Sequence, residues 1–299
     1  MKKIVFYIEP KWAFGTIHYE LCKYLWAYGF NCQLLPWNQS YTLQEMQELL
    51  DTTDLIVTTP HGWRLLGYNY KIVDPKQCVV ISHSKLDMNE LIEHHGRDDF
   101  NKFHKYGAVT DWLANVSVQL GITRPAFVTP LGINTNSFYS KPSESLQVVG
   151  CTSLNHYGVH QDIKRTWLLG PAVEKAGLTL KAAASYHNSF VTMPGFYKSV
   201  DAILVASTEE GAGLPVLEAG ASGKLVISTP VGHWNTRVGE QGGHSVPIPE
   251  NEFIEKTVEL LSYYKANPEQ YRRRCLEIQH HAQSYDWKYV IDKWIEILS

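Results

Sequence analysis

The sequence predicts an α/β chain made of two Rossmann-like, doubly wound domains that face a central cleft. Short, continuously apolar runs alternate with amphipathic helical windows, which is typical of parallel strands covered on both faces. The pattern starts afresh after a polar, proline-containing segment at 131–145, and 299 residues are enough for two domains of ordinary size.

Six strands are predicted in the first half, and IVFYI at 4–8 opens the series. Gly15 lies in the loop that follows this strand. The other elements of this half are strands at 32–37, 54–59, 77–82, 108–110 and 125–132, and helices at 16–28 and 42–50. They form a first domain over 1–143.

The second half repeats this alternation, and we place a second domain at 144–283. Its last helical window, 286–298, carries apolar residues at spacings of three and four, which is the pattern of an amphipathic helix. The other predicted elements are strands at 145–150, 178–185, 202–207 and 224–229, and helices at 162–176, 251–266 and 268–283.

Composition excludes several classes of protein. The net charge of −3 gives no general attraction to nucleic acid. Five scattered cysteines without a CxxC spacing indicate reduced, buried thiols. The first apolar run is too short for a signal peptide, and no apolar stretch approaches 18 residues. We therefore expect a cytoplasmic protein, with peripheral contact at the inner membrane face left open.

The segment 207–232 carries the most chemical information. Gly211 and Gly213 permit close backbone approach, and Pro215 suits the first turn of a helix that stops at Gly223. A strand, a glycine-containing loop and a helix N-terminus together place free amides and the helix dipole at one point. This arrangement predicts an anion site, and a diphosphate fits it.

Two glutamates, Glu210 and Glu218, flank the predicted anion site. A carboxylate beside a diphosphate would be repelled, so neither should face the phosphates. Each can accept hydrogen bonds from hydroxyl groups instead. A diphosphate flanked by two polyols is a nucleotide sugar, so one glutamate would hold the sugar hydroxyls and the other the ribose diol.

This segment has three other interpretations. A glycine–proline turn that enters a short helix is often only architectural, although here it coincides with the strand and both glutamates. A dinucleotide site would need the third glycine of GxGxxG, and Val216 stands there. A P-loop would need GxxxxGK[ST], which does not occur in the sequence.

The stretch 196–232 resembles the GT-B glycosyltransferases of family 4, also called group 1. The likeness rests on the E-x7-E pattern of Glu210 and Glu218 within GLPVLEAGASGKLVIST, on PLGIN at 130–134, and on DIKR at 162–165. The resemblance implies a GT-B fold in which a C-terminal helix, here 284–299, packs back on the first domain.

The resemblance also implies a function: a retaining, metal-independent enzyme that moves a hexose from a nucleotide-diphosphate sugar. The donor would be a UDP- or GDP-sugar held mainly by the second domain, with no further cofactor. The first domain would bind a glycan, lipid-linked or other hydroxyl acceptor. A donor phosphate oxygen would assist deprotonation of the acceptor during attack on the same face of the sugar.

Individual roles follow from the same resemblance. Glu210 would contact the donor sugar and Glu218 the ribose, while amides near Gly213, Leu214 and Pro215 would meet sugar and phosphate. His83, which ends the strand CVVIS, looks like the family's histidine near the donor sugar.

The sequence departs from the family pattern at two places. Where the family has an arginine after the strand, Gly150 is followed here by Cys151 and Thr152, and NHYGVHQ at 155–161 lengthens the interval to the next basic residues. Lys164 and Arg165 are therefore the candidates for stabilising the departing diphosphate.

The second departure concerns the family's double glycine after the first strand, which is Phe14-Gly15 here. Gly15 could still let a phosphate or acceptor approach. His61, after the strand at 54–59, is a weaker candidate for acceptor contact. The pairs His94-His95 and His280-His281 lack the spacing of metal ligands, so we expect no metal site.

Two rival functions stay open at this stage. The missing arginine permits a nucleotide-sugar-binding protein that has lost transfer. A phage-type glycosyltransferase that acts on modified DNA would need a basic first domain, which the sequence does not show, so no nucleic acid partner is expected.

Overall fold

The computed structural model describes residues 1–9, 12–152, 159–183, 191–235 and 238–299. The chain divides into two compact units. The first contains Met1–Gly132 together with Trp287–Ser299, and the second contains Ile133–Asp286. The sequence-based boundary at 143/144 lies within the second unit. Four of the seven residues of the predicted insertion, 155–158, lie outside the described residues.

The first unit is built on a six-stranded parallel sheet. Its strands are β1 Lys3–Ile8, β2 Asn31–Pro36, β3 Leu55–Thr58, β4 Cys78–Ser82, β5 Lys105–Ala108 and β6 Phe127–Val128. They lie in the order β2-β1-β3-β4-β5-β6, and each strand runs parallel to its neighbours. β3 and β4 are buried along their whole length because helices cover both faces.

Five helices connect these strands: α1 Trp12–Ala27, α2 Leu43–Leu50, α3 Pro60–Asn69, α4 Lys85–His95 and α5 Asp111–Gln119. The last three were not predicted. Each begins directly after a residue that caps its N-terminus through a side-chain oxygen, namely Thr59, Ser84 and Thr110. The predicted loop around Gly15 is wrong, because α1 already begins at Trp12 and contains this glycine.

The second unit has a five-stranded parallel sheet. Its strands are β7 Val148–Cys151, β8 Thr179–Ala182, β9 Ala202–Val205, β10 Leu225–Ser228 and β11 His244–Ser245, in the order β11-β10-β9-β7-β8. Counted within their own unit, the first five strands of each sheet follow the same order, 2-1-3-4-5. Both sheets are therefore doubly wound, and the predicted α/β class is confirmed.

The helices of the second unit are α6 Thr135–Phe138, α7 Val159–Lys164, α8 Leu169–Lys175, α9 Met193–Lys198, α10 Leu214–Ala221, α11 Glu250–Ala266 and α12 Pro268–Ala282. The continuous helix predicted over 162–176 is wrong. Arg165 adopts a left-handed conformation, with φ 46° and ψ 43°, and a 3-10 turn over Thr166–Leu168 separates α7 from α8. A left-handed residue cannot continue a right-handed helix.

The last helix, α13 Trp287–Leu298, belongs to the first unit. The Trp294 indole nitrogen donates to the Pro130 carbonyl at 2.9 Å, and the Lys105 ammonium donates to the Ile297 carbonyl at 2.6 Å. The Trp287 ring lies where a side chain on Gly132 would be. Buried tryptophans and hydrogen bonds from side chains to main-chain carbonyls therefore fix this helix on the unit that contains the N-terminus.

All five cysteines are buried and none forms a disulfide, as their scattered spacing predicts. Within the part of the chain that the structure describes, no helix is both long and apolar enough to cross a bilayer.

Candidate functional site

The centre of the site is the turn between β9 and α10. Gly213 stands before the first residue of α10 with φ 67° and ψ 49°, a left-handed conformation that a glycine adopts without strain. No side chain caps this helix, and Leu214 and Pro215 are only partly buried. Pro215 has no N–H and the Val216 amide donates to the Gly213 carbonyl at 3.0 Å, so the amide of this turn that can face a ligand is that of Leu214. The helix dipole adds partial positive charge.

A second loop, after β10, lies against this turn. The His233 amide donates to the Ala212 carbonyl at 2.6 Å, and the Thr229 hydroxyl donates to the Ser207 carbonyl. Gly232 has φ 60°, and a Cβ there would lie 2.5 Å from the Ala212 oxygen. Only a glycine allows the two backbones to approach this closely. The loops after β9 and β10 therefore form one surface, which we call the cradle (207–214 and 229–233).

Glu210 and Lys164, which the sequence assigned to catalysis, lie together beside the cradle. Glu210 Oε1 accepts hydrogen bonds from the Lys164 ammonium and, at 2.7 Å, from the Ser207 hydroxyl. The two charged side chains are 14% and 18% exposed, so a ligand can still reach them. The Thr208 amide donates to the Ile163 carbonyl at 2.8 Å, which ties the end of α7 to the loop after β9.

Glu218 projects from α10 and meets a residue that the sequence analysis missed. Its Oε2 accepts a 2.6 Å hydrogen bond from the Tyr197 hydroxyl. Burial raises the pKa of the Glu218 carboxyl to about 7, and the Tyr197 hydrogen bond opposes this shift. Burial and the nearby carboxylate raise the pKa of Tyr197. The signal was available, since Tyr197 lies inside the stretch 196–232 that carries the family resemblance.

Arg165 occupies a different environment from the one predicted for a phosphate ligand. Its guanidinium is buried and donates to the Ala206 carbonyl at 2.7 Å and to the Ile248 carbonyl. The guanidinium carbon also lies 5.6 Å from the centre of the Phe253 ring. Burial lowers the pKa of Arg165. These contacts join three segments of the second unit, so Arg165 has a structural task there.

The two predicted site residues of the first unit, His83 and Gly15, lie at buried positions. The His83 ring centre lies 5.8 Å from that of His18, and its amide donates to Asp87 at 3.3 Å. Burial lowers the pKa of His83 well below its ordinary value, with His18 adding to the shift. His83 is therefore a neutral imidazole at pH 7.

His61 lies at the start of α3 and is engaged by neighbours. Its Nδ1 lies 2.6 Å from Glu90 Oε2, and Arg64 donates to the other Glu90 oxygen at 2.7 Å. The His61 ring also packs edge-on against Trp37, with centres 5.1 Å apart. Among the residues that the structure describes, no group of three or more His, Cys, Asp or Glu side chains could hold a metal ion.

Comparison with known proteins agrees with this architecture. Residues 161–263 match the family model described as glycosyl transferases group 1. This region contains Lys164, Glu210, Glu218 and the whole cradle. No curated protein matches the sequence.

Several solved structures share the fold. Anabaena HepE in complex with UDP and glucose has a TM-score of 0.69 at 14% identity, over 100% of this chain and 99% of that chain. Sucrose-phosphate synthase from Thermosynechococcus elongatus has a TM-score of 0.67 at 12% identity, over 99% and 98%. An S. aureus TarM mutant in complex with fondaparinux, α-GlcNAc-glycerol and UDP has a TM-score of 0.62 at 12% identity, over 86% and 58%.

Fold and site together define the class as GT-B, with two parallel-sheet α/β units. More narrowly, the second unit contains a group 1 glycosyltransferase region, so the predicted resemblance to group 1 GT-B glycosyltransferases is confirmed. The donor, the acceptor and the stereochemistry belong to the proposal that follows.

Proposed function

We propose that this protein is a retaining, metal-independent glycosyltransferase that moves a hexose from a nucleotide-diphosphate sugar to a hydroxyl acceptor. The observation that carries the proposal is the cradle at the uncapped N-terminus of α10, with the Lys164–Glu210 pair beside it. Amides and an ammonium group are ligands for a diphosphate, and a carboxylate next to them suits the hydroxyls of the attached sugar.

Each residue has a defined part in this proposal. The amides of Gly211, Gly213 and Leu214 and the turn at Pro215 receive the diphosphate and the near edge of the sugar. Glu218 accepts hydrogen bonds from the ribose diol. The position of Glu218 on α10, beyond the first turn, separates its carboxylate from the amides that face the phosphates.

Lys164 and Glu210 act at the reacting bond in this mechanism. When the sugar–phosphate bond breaks, negative charge grows on the diphosphate, and Lys164 stabilises it together with the helix dipole. Glu210 holds the sugar hydroxyls. A phosphate oxygen of the donor takes the acceptor proton, so the acceptor attacks the face that the diphosphate leaves and the anomeric configuration is retained.

The first unit supplies the acceptor side of the proposal. A neutral His83 can exchange hydrogen bonds with a substrate hydroxyl without carrying charge, and Gly15 leaves α1 without a side chain at that position. We do not propose Arg165 as a phosphate ligand, because its guanidinium is buried against two main-chain carbonyls. It supports the site by holding the end of α7, and therefore Lys164, against β9.

The comparisons favour UDP over other carriers and a glycan as acceptor. HepE is solved with UDP and glucose, and the TarM mutant with UDP, fondaparinux and α-GlcNAc-glycerol. We therefore propose a UDP-hexose as the first donor to test, with a GDP-hexose as the second. A cytoplasmic location follows in this proposal from the place where nucleotide sugars are used.

The test is nucleotide release from UDP-glucose, UDP-GlcNAc and GDP-mannose, with and without glycan acceptors. Lys164→Ala and Glu210→Gln should each lower the rate roughly a hundredfold, or ~3 kcal/mol, because each removes a group that acts on the developing charge or on the sugar. Lys181→Ala is the matched control, because this exposed lysine lies on β8 and, among the described residues, donates to the Ser199 hydroxyl at 2.8 Å.

Three outcomes are informative. Turnover that depends on Lys164 and Glu210 supports the transferase. Nucleotide binding without any turnover or hydrolysis would favour the binding protein that has lost transfer. Near-normal rates in both variants would refute the assignment of the site.

A further inference from the structure

The hydroxyl of Tyr197 hydrogen-bonds to the Glu218 carboxylate, and Tyr197 lies on α9, which the proposed mechanism does not use. Its ring is fully buried and packs edge-on against Phe138 and Phe196, with ring centres 5.7 and 5.5 Å apart. The aromatic contacts fix the direction of the phenol, and the hydroxyl reaches Glu218 Oε2 at 2.6 Å.

The hydroxyl does more than fill space in this apolar cluster. A phenylalanine would give the same ring contacts without placing a polar atom among buried apolar side chains. A buried hydroxyl has to be hydrogen-bonded, and here the acceptor is a carboxylate, which makes the bond a strong one. One oxygen of Glu218 is thereby fixed, and the plane of the carboxylate is fixed with it, so that Oε1 is left to bind a ligand.

We propose that Tyr197 is a positioning residue for the nucleotide: its hydroxyl holds Glu218 ionised and oriented so that the free carboxylate oxygen accepts from the ribose diol. This inference rests on the proposed function, because it gives Glu218 the ribose as its ligand. Tyr197 itself does not touch the nucleotide in this proposal. It acts only through Glu218.

The elements packed against α10 surround the Glu218 carboxyl mainly with apolar side chains, and Tyr197 is the side chain that opposes the effect of burial on its pKa. α12 packs against α10 through Ile278 and Ala282, and the turn Val238–Gly242 packs against it through Val238. α6 carries no charged residue.

Two other titratable groups lie nearby. The turn Gly232–Asn235 contributes His233, whose pKa burial lowers to about 4, so it is neutral near pH 7. Cys151, at the end of β7, acts on Tyr197 and raises its pKa. Tyr197 is the titratable side chain that shifts the Glu218 pKa, and its hydrogen bond lowers this pKa.

The direction of the pH effect follows from these contacts. Burial raises the Glu218 pKa to about 7, and the carboxylate form is the one that accepts two ribose hydroxyls. Ribose-dependent affinity should therefore fall as the pH drops below 7. Removing the Tyr197 hydroxyl removes an interaction that favours ionisation, so the Glu218 pKa rises and the fall begins at higher pH.

The experiment measures calorimetric affinity of the full-length protein for UDP and for its analogue without the 2′ and 3′ hydroxyls, between pH 5.5 and 8.5. GDP and its matching analogue form a second series. In the wild type, the ribose hydroxyls should improve affinity about tenfold or more at pH 8, as expected for hydrogen bonds to a charged group. Tyr197→Phe should lose most of that preference and keep the affinity for the analogue. The fall of UDP affinity at low pH should begin at a higher pH than in the wild type.

Glu218→Gln makes the test specific. This variant should lose the ribose preference and its pH dependence, and adding Tyr197→Phe to it should change nothing further. Lys198→Ala, at the last residue of α9, is a control that should behave as the wild type.

The possible failures are distinguishable. A wild type that binds neither UDP nor GDP overturns the proposed function and this inference together. A wild type that binds, with a Tyr197→Phe variant whose ribose preference and pH profile are unchanged, overturns this inference alone. An equal loss of affinity for nucleotide and analogue in Tyr197→Phe also overturns it, because that is the behaviour of a packing defect.

Discussion

Gly232→Ala is the sharpest test of the cradle, because this glycine brings the two loops into contact. The substitution has two costs in the structure. Alanine at φ 60° is strained, and its Cβ would lie 2.5 Å from the Ala212 oxygen and 2.9 Å from the Gly213 nitrogen. The left-handed conformation costs about 1 to 2 kcal/mol, and relief of such overpacking about 1 to 3 kcal/mol more. We expect a loss of about 2 to 5 kcal/mol in the free energy of unfolding.

The same change should weaken nucleotide binding, since the atoms that must move belong to the backbone of the cradle. Displacing the peptide before Leu214 misaligns the Leu214 amide at the start of α10, so UDP affinity should fall at least tenfold, about 1.4 kcal/mol. Urea unfolding and calorimetry with UDP measure the two effects.

Gly170→Ala is the matched control for this prediction. Gly170 lies in α8, where a Cβ would meet no atom within 4 Å, so the variant should be as stable as the wild type or more stable. A Gly232→Ala protein that folds and binds UDP with wild-type affinity would refute the idea that this contact builds the anion site.

Three further predictions concern stability. Arg165→Gly should lower the free energy of unfolding by about 3 kcal/mol, because it removes the hydrogen bonds of a buried cation. Arg165→Ala should lower it by about 1 kcal/mol more, because alanine is strained in the left-handed conformation. Urea unfolding of the two variants measures the difference, and equal stabilities would contradict this prediction. The raised Glu218 pKa means that its contribution to stability is fully present below pH 4.5 and is lost as the pH rises to about 7, so the wild type should lose about 3 kcal/mol relative to Glu218→Gln over that range. If the difference in the free energy of unfolding between the two proteins does not change with pH, the raised Glu218 pKa is excluded. Trp294→Phe should lower the free energy of unfolding by about 1 to 2 kcal/mol, because it removes the bond to Pro130 in a packed site, and an unchanged thermal midpoint would argue against this.

The strands and the glycine turn were the predictable part of this molecule. Buried parallel strands are continuous apolar runs, so β3, β4 and β10 could be located within about a residue from hydropathy alone. The turn at 211–215 could be predicted because glycine permits a left-handed backbone at Gly213 and proline suits the first turn of a helix at Pro215. The strand order could not be read in this way, since it depends on pairings between distant segments.

The missed features depend on tertiary contacts. α3 and α4 contain few apolar residues at helical spacing, and their starts are marked mainly by the caps Thr59 and Ser84. The break at Arg165 has no local signal, because its left-handed backbone is compensated by hydrogen bonds to Ala206 and Ile248, which are distant in sequence. The Tyr197–Glu218 contact joins two helices across a strand.

In the proposed function, the ion pair beside the cradle explains how a carboxylate can stand next to a diphosphate. Glu210 alone would repel the ligand, and Lys164 alone would be a free positive charge that any anion could occupy. Because Lys164 donates to Glu210 at rest, the site is close to neutral before binding. A ligand must offer Lys164 an anion and Glu210 a hydroxyl donor at the same time to replace that bond without loss. Sulfate, which has no hydroxyl at neutral pH, offers only the first, whereas a sugar diphosphate offers both, so in the proposed function the pair selects for a sugar joined to a diphosphate.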